Sequence, residues 1–489
     1  MGRLFLSVFC LLISIGVQAS NFLCFTANED SSVVGCVMKS PRSLSYSFNA
    51  YDAEPVWVEY IPGKSIVLEK KGDKVYWGGV NPYGFAGEKY KDNCFFMKGS
   101  IAASGSVMSI IDGVGESTVI PKVRKCFFGL FSGCDCLTQA PELPATELVS
   151  QCYYSMFADC KSLTKIPELP AEDLSLGDYC YAYMFAGCTG LTEVEEWSAK
   201  ILSSGCYCHM FDSCVNLVKA PVLPVTKLDA NCYEGMFYGC TSLDKAPELP
   251  STSLDWGCYE EMFSGCTSLT QAPELPASWM YQDCYRGMFA GCTSLIQAPE
   301  LPATRLDYYC YDSMFSGCTS LTRAPELLAV DFHRSEISDS KDTVYIDELS
   351  YGCYDKMFSG CENLNYIKVA TPVWGKDNAI VTNGWVENVS ATGTFICPAA
   401  LEEKYGIDYI PDGWSLYGNA VNDYFSPING DFFSCDGHLF LSSSESGNAR
   451  IFNIGGELLK SVAYESGETD LGAFPAGVYV VNGRKVIVE

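Results

Sequence analysis

Eighteen cysteines of this chain recur in pairs of the form C-x7-C: Cys126 and Cys134, Cys152 and Cys160, Cys180 and Cys188, Cys206 and Cys214, Cys232 and Cys240, Cys258 and Cys266, Cys284 and Cys292, Cys310 and Cys318, Cys353 and Cys361. Cysteine at fixed spacing can ligate a metal, attack an electrophile, cross-link the chain or pack as a small apolar residue. Zinc sites set their cysteines two to four residues apart, which C-x7-C does not. Cys134-x-Cys136 and Cys206-x-Cys208 are closer, but each is a single pair with no second pair to complete it. A catalytic cysteine is unique and has a histidine partner, whereas these are ninefold and the chain holds only His209, His333 and His438. No catalytic residue, metal centre or cofactor is therefore assigned from the sequence.

Three structural readings of the pairs stay open. In a continuous helix, eight residues at about 1.5 Å each would hold the two α-carbons ~12 Å apart, too far for a disulfide. Glycine precedes the second cysteine in seven of the nine units, however, and a left-handed glycine would fold the chain back and let the pair meet. That bridge within a unit is the favoured expectation. A bridge between neighbouring units and a column of free, buried thiols are the alternatives.

The elements that position these residues are repeats. Successive first cysteines are 26 residues apart, except for one step of 28 and a last step of 43. A period in this range is the signature of a solenoid, in which each unit buries its face only against its neighbours. The long step is an insertion at about 328–350, polar enough to be a loop. Within a unit, Tyr233, Met236, Phe237 and Cys240 fall at offsets 0, 3, 4 and 7, which predicts a short helical turn with a buried stripe. The following TSLDKAPELP is too rich in proline for helix and predicts an extended segment with a thin, incomplete sheet.

The phrase YxxMFxGCTSLTxAPELPATxL resembles the BspA-like leucine-rich repeats of bacterial surface proteins over residues ~100 to 370. Departures fall at Leu130-Phe131, at EVEEWSAKIL and at Cys208 and His209. The resemblance implies a non-enzymatic adhesion or binding scaffold. Residues 449–489, with IFNIGGELL, DLGAFPAGVYVV and GRKVIV, resemble the C-terminal sorting domain of the type IX secretion route of Bacteroidetes, which implies a secretion machinery as partner.

The expected organisation is a signal peptide at 1–19, a small all-β, sandwich-like domain at 20–98, a cap at 99–125, nine leucine-rich-repeat units at 126–370, a second cap at 371–418 and a β sorting domain at 419–489. Arg3, the apolar run Leu4 to Val17 and the small residues before Asn21 read as an export signal. No later stretch has the ~18 apolar residues of a transmembrane helix, so an integral membrane protein is not expected. The net charge of −27 disfavours nucleic acid as a partner. Export puts the protein at the outer-membrane surface or outside the cell, with an extracellular protein or matrix ligand, or a glycan, as partner. The Glu of PELP (Glu142, Glu168, Glu248, Glu274, Glu300) reads as a solvated column. Trp256, Trp279, Tyr308 and Tyr309, at positions that vary between units, are the candidate ligand surface.

Overall fold

The structure is a computed structural model that describes residues 20–489, apart from 195–198, 224, 331–332, 338–342, 350–351, 377–378, 420–429, 436–437, 445, 454–457, 476, 482–483 and 489. The expected signal peptide lies outside the described residues. The chain divides into two compact units, 1–418 and 419–489. Both are strand-rich, and among the described residues the only α-helix is Ser109–Asp112.

The first unit opens with two antiparallel sheets. Leu23–Ala27 lies between Lys74–Gly78 and Ile101–Ser104, and Ser32–Met38 between Ile66–Leu68 and Asn93–Lys98. Phe25, Val34, Trp77 and Phe95 fill the space between them, with the Phe95 ring 5.0 Å from Phe25 and 5.2 Å from Trp77. Ile101–Ser104 also pairs, in parallel, with Leu137–Gln139 of the first repeat. The sheet thereby hands its hydrogen bonds directly to the repeats, and one apolar core runs from Leu23 to Trp414.

The C-x7-C segment is not helical, contrary to the expectation from its apolar stripe. In the sixth repeat Glu260, Met262, Ser264 and Cys266 donate their N–H groups three residues back along their own chain, to Gly257, Tyr259, Glu261 and Phe263. The alternate residues Gly257, Tyr259, Glu261, Phe263 and Gly265 donate to carbonyls of the next repeat, at Gln282, Cys284, Arg286, Met288 and Ala290. A helix would satisfy all these donors internally and leave none for a neighbour. Left-handed residues at every fourth position (φ +59 at Gly257, 52 at Glu261, +74 at Gly265) instead produce a ribbon of overlapping turns that is half satisfied by itself and half by the next repeat.

The inner face of this ribbon carries columns of identical side chains. The rings Tyr153, Tyr181, Tyr207, Tyr233, Tyr259, Tyr285 and Tyr311 stack in sequence, with neighbouring centroids 5.8–6.0 Å apart. A second column begins on Phe95, passes to Phe131 at 5.4 Å and continues through Phe157 and Phe185 to Phe358. Offset stacking at these distances is favourable for aromatic quadrupoles. Both columns end on one residue, Trp385, which lies 6.4 Å from Tyr354 and 6.2 Å from Phe358. One indole thus covers two columns whose last rings would otherwise face solvent.

In the middle repeats, among the described residues, the extended segments that carry PELP pair at isolated parallel bridges, such as Lys219 with Lys245 and Gln271 with Gln297, as their missing proline donors favour. Regular strands return within the eighth unit, whose own Arg323–Leu327 pairs in parallel with Tyr366–Val369, which in turn pairs with Thr394–Pro398. The inserted segment is not a loop: His333–Ile337 and Thr343–Leu349 pair antiparallel as a hairpin. Stacking passes the insertion undisturbed, since Tyr311 N–H still reaches the Cys353 carbonyl at 3.0 Å. The second unit has two small sheets, Gly430–Cys435, His438–Ser443 and Gly467–Ala473 in one, Leu458–Tyr464, Gly447–Asn453, Gly477–Val481 and Arg484–Val488 in the other. Leu439, Leu441, Ile451, Leu471 and Val481 form its core. Val481 pairs with Arg484, and the Asn482-Gly483 pair between them, a sequence typical of a two-residue hairpin turn, lies outside the described residues.

Candidate functional site

The paired cysteines are interior. All eighteen are buried, and all eighteen are free. The favoured bridge within a unit does not form, because recurring left-handed residues propagate the ribbon rather than reverse it at the glycine. The thiols instead donate to carbonyls of the preceding repeat: Cys232 to Ser203 at 3.4 Å in one column, Cys240 to Phe211 at 3.2 Å in the other. Burial pushes the Cys214 and Cys292 thiols up to about 12, the opposite of what a nucleophile needs. Tyr233 and its equivalents are buried, and the PELP glutamates are exposed.

The four aromatic residues expected to form a ligand surface fall at three different positions of the repeat. Trp256, Gln282 and Tyr308 share one ribbon position, and their carbonyls accept the N–H groups of Asn231, Gly257 and Asp283. Trp256 is 55% exposed, while Tyr308 is half-buried. Tyr309, one residue on, has φ 52 and lays its ring over Gly352, where a β-carbon would come within 2.4 Å of it. Trp279 lies elsewhere, opposite Ser253 on a short parallel pair, with the Arg305 guanidinium 5.5 Å from its ring. Below this surface the PELP segments of adjacent repeats form a shallow groove lined by Gln271, Pro273, Glu274, Gln297, Pro299 and Glu300.

A second variable surface, on the outer face of the turn ribbon, was missed in the sequence. It begins with half-buried aromatics, Phe128 against Tyr154 at 5.2 Å and Tyr154 against Tyr183 at 5.4 Å, and Tyr183 stacks on His209 at 4.7 Å. Burial pushes the Tyr154 hydroxyl up to about 12. Beyond His209 the row turns charged: Glu234, Glu260, Arg286 and Asp312. Arg286 holds Glu260 at 3.2 Å, Asp283 at 3.8 Å and Asp312 at 3.3 Å. Even so, Glu260 is raised to about 7, because burial and the charges of Asp283 and Glu234 outweigh the attraction of Arg286. The signal for this row was in the sequence: the second and third positions after each first cysteine change from unit to unit while their neighbours do not.

These features define a repeat protein whose conserved chemistry is internal packing. Residues 116–244 and 233–325 match, in 6 copies, the family model described as BspA type Leucine rich repeat region. No curated protein and no solved structure matches the chain. The matched residues are repeats of the leucine-rich type, a class that is generally non-enzymatic. Among the described residues no helix is long and apolar enough to cross a membrane.

Proposed function

We propose that this protein is an exported, non-enzymatic binding protein whose repeats form a solenoid and present their variable outer positions to an extracellular protein or matrix ligand. One observation carries this reading. The residue types common to the repeats, Cys, Tyr, Met, Phe, Cys and Leu, are buried at 0–2%, so nearly all difference between repeats falls on the surface. A rigid array with a variable face suits extended protein ligands. Export rests on the N-terminal sequence, and passage through the type IX route, with attachment at the outer-membrane surface or release, rests on the likeness of residues 449–489 to its sorting domain. Arrays of matrix proteins and of glycans, probed with the purified full chain and with Trp256→Ala and Tyr308→Ala variants, test the proposal. Binding to a protein that weakens at least several-fold in these variants is expected. Binding to sugars alone would replace this reading with glycan capture, and protein binding indifferent to both substitutions would move the site off this column.

A further inference from the structure

The fourth repeat differs from the others on its outer face. It carries Cys208 and His209 at the second and third positions after its first cysteine, and the fifth repeat carries Glu234 at the second. Stacking sets residue i beside residue i+26, so Cys208 and Glu234 become direct neighbours, with Sγ 3.6 Å from Oε2. The other carboxylate oxygen, Oε1, is 3.9 Å from His209 Nε2. Among the described residues this is the one trio of such side chains whose ligand atoms all lie within 4.8 Å of one another.

His209 and Glu234 are held from outside the trio. Asp212 Oδ2 lies 3.0 Å from His209 Nδ1, and a proton on Nδ1 shared with that carboxylate leaves the Nε2 lone pair facing Glu234. Asn231 Nδ2 donates to Glu234 Oε2 at 2.6 Å. Tyr183 lies flat on the imidazole, 8° from parallel. On the opposite side is Gly235, where a β-carbon would come within 2.2 Å of His209 Cε1. Only glycine there leaves the ring in place.

We infer that Cys208, His209 and Glu234 form a binding site for one divalent cation of the zinc class, with Asp212 as the residue that positions the imidazole. Donor chemistry and geometry agree on the class. Thiolate with imidazole selects zinc-like cations over calcium or magnesium, which take oxygen alone. Tetrahedral zinc, with bonds of about 2.0–2.3 Å, needs donors roughly 3.3–3.7 Å apart; Cys208 and His209 reach the two oxygens of Glu234 at 3.6 and 3.9 Å, and the three ligand atoms lie within 4.8 Å, so a small inward rotation of the side chains would close the site on an ion. Three protein ligands leave the fourth position to water or to a side chain of a bound partner. Access is from one side, since Cys208 is buried while the His209 and Glu234 side chains are 13% and 25% exposed.

The local charges favour the same occupant. The Glu234, Glu260 and Asp212 carboxylates surround Cys208, so a cation bound there meets negative charge. A thiol so placed is a poor nucleophile but a workable ligand, because the cation displaces its proton: Cys–SH and M²⁺ give Cys–S–M and one H⁺ released to solvent. No metal-ligand spacing in the sequence marks the site, because its ligands come from two repeats.

The test uses the full chain, stripped with a chelator and titrated with Zn²⁺ by calorimetry and with Co²⁺ by absorption. One equivalent is expected to bind, with a thiolate-to-cobalt charge-transfer band and release of one proton. Asp212→Asn should weaken binding about ten- to hundred-fold, and His209→Gln or Cys208→Ser by more. Glu234→Gln reaches the site from the neighbouring repeat, and circular dichroism of each variant shows whether the fold is kept. No binding by the parent chain, or the same stoichiometry and cobalt band in folded His209→Gln, would overturn the site and leave a histidine–aspartate pair.

Discussion

The two faces of the turn ribbon are built from the same backbone and obey opposite rules. On the inner face Tyr259, Met262, Phe263 and Cys266 meet copies of themselves in the adjoining repeats, so each position is fixed by its own neighbours above and below. On the outer face Tyr183, His209, Glu234, Glu260 and Arg286 succeed one another with only the glutamate repeated, so most positions meet a residue unlike themselves. Sequence identity between repeats therefore reports packing, and sequence difference reports the surface on which this molecule can be specific.

The sharpest way to break that contrast is to cut one ring out of the inner column. Phe263 is fully buried between Phe237 and Phe289, at 5.7 and 5.8 Å. Phe263→Ala should cost about 3–5 kcal/mol in chemical denaturation, since the rigid repeats on both sides cannot collapse into the space. Trp256→Ala, at 55% exposure, should stay within roughly 0.5 kcal/mol. Equal losses at the two positions would erase the distinction between the faces.

The backbone offers an intermediate effect. Gly265 has φ +74, and a β-carbon there would meet only Gly239 Cα at 3.5 Å, an ordinary contact. Gly265→Ala should thus cost about 1–2 kcal/mol from the left-handed conformation alone, read as a shift in denaturation midpoint. Asp159 and Ser213 occupy the same position in other repeats at φ 61 and 57, so the strain is tolerable and a complete loss of folding would contradict the ribbon geometry.

Much of the inner face was legible in the sequence, and much of the outer face was not, for one physical reason. A period of 26 residues converts directly into columns, so the buried Tyr, Met, Phe and Leu follow from counting. The backbone did not follow, because offsets 0, 3, 4 and 7 share a side in a helix and also in a ribbon of alternating turns. What separates the two is the left-handed residue at every fourth position. Glycine marks some of these, but Lys125, Gln151, Tyr179 and Glu261 fill others and give no local sign. The inserted segment hid its hairpin in the same way, since its polar composition reads as a loop although its backbone pairs as two strands. The Cys208, His209 and Glu234 cluster needed the stacking register, although adding one period to 208 already leads to 234.

The outer row should respond to pH where the inner columns do not. Glu260 is raised from 4.5 to about 7 in the folded chain, so the native state holds a proton there that the unfolded chain has lost. Stability from this group is complete below about pH 4.5 and falls as pH rises to about 7, then levels off. Solvent screening at a partly exposed side chain reduces the effect to the order of 1 kcal/mol. Glu260→Gln should flatten that limb of the stability profile measured by denaturant titration. An unchanged slope would mean that Arg286 neutralises Glu260 fully.

The smallest expected effect concerns a hydroxyl inside the column. Tyr259 is 1% exposed, and its Oη has no hydrogen-bond partner, so the ring belongs to the packed interior while its hydroxyl is out of place there. Phe127 occupies the equivalent position in the first repeat and stacks on Tyr153 at 5.6 Å and 10°, so the column accepts a ring without oxygen. Tyr259→Phe should leave stability unchanged or raise it by a few tenths to about 1 kcal/mol in thermal and chemical denaturation. A loss above about 1 kcal/mol would show that the hydroxyl is bonded within the stack. The tyrosine column would then be held together by polar contacts as well as by ring packing, and the inner face would be less purely apolar than its burial implies.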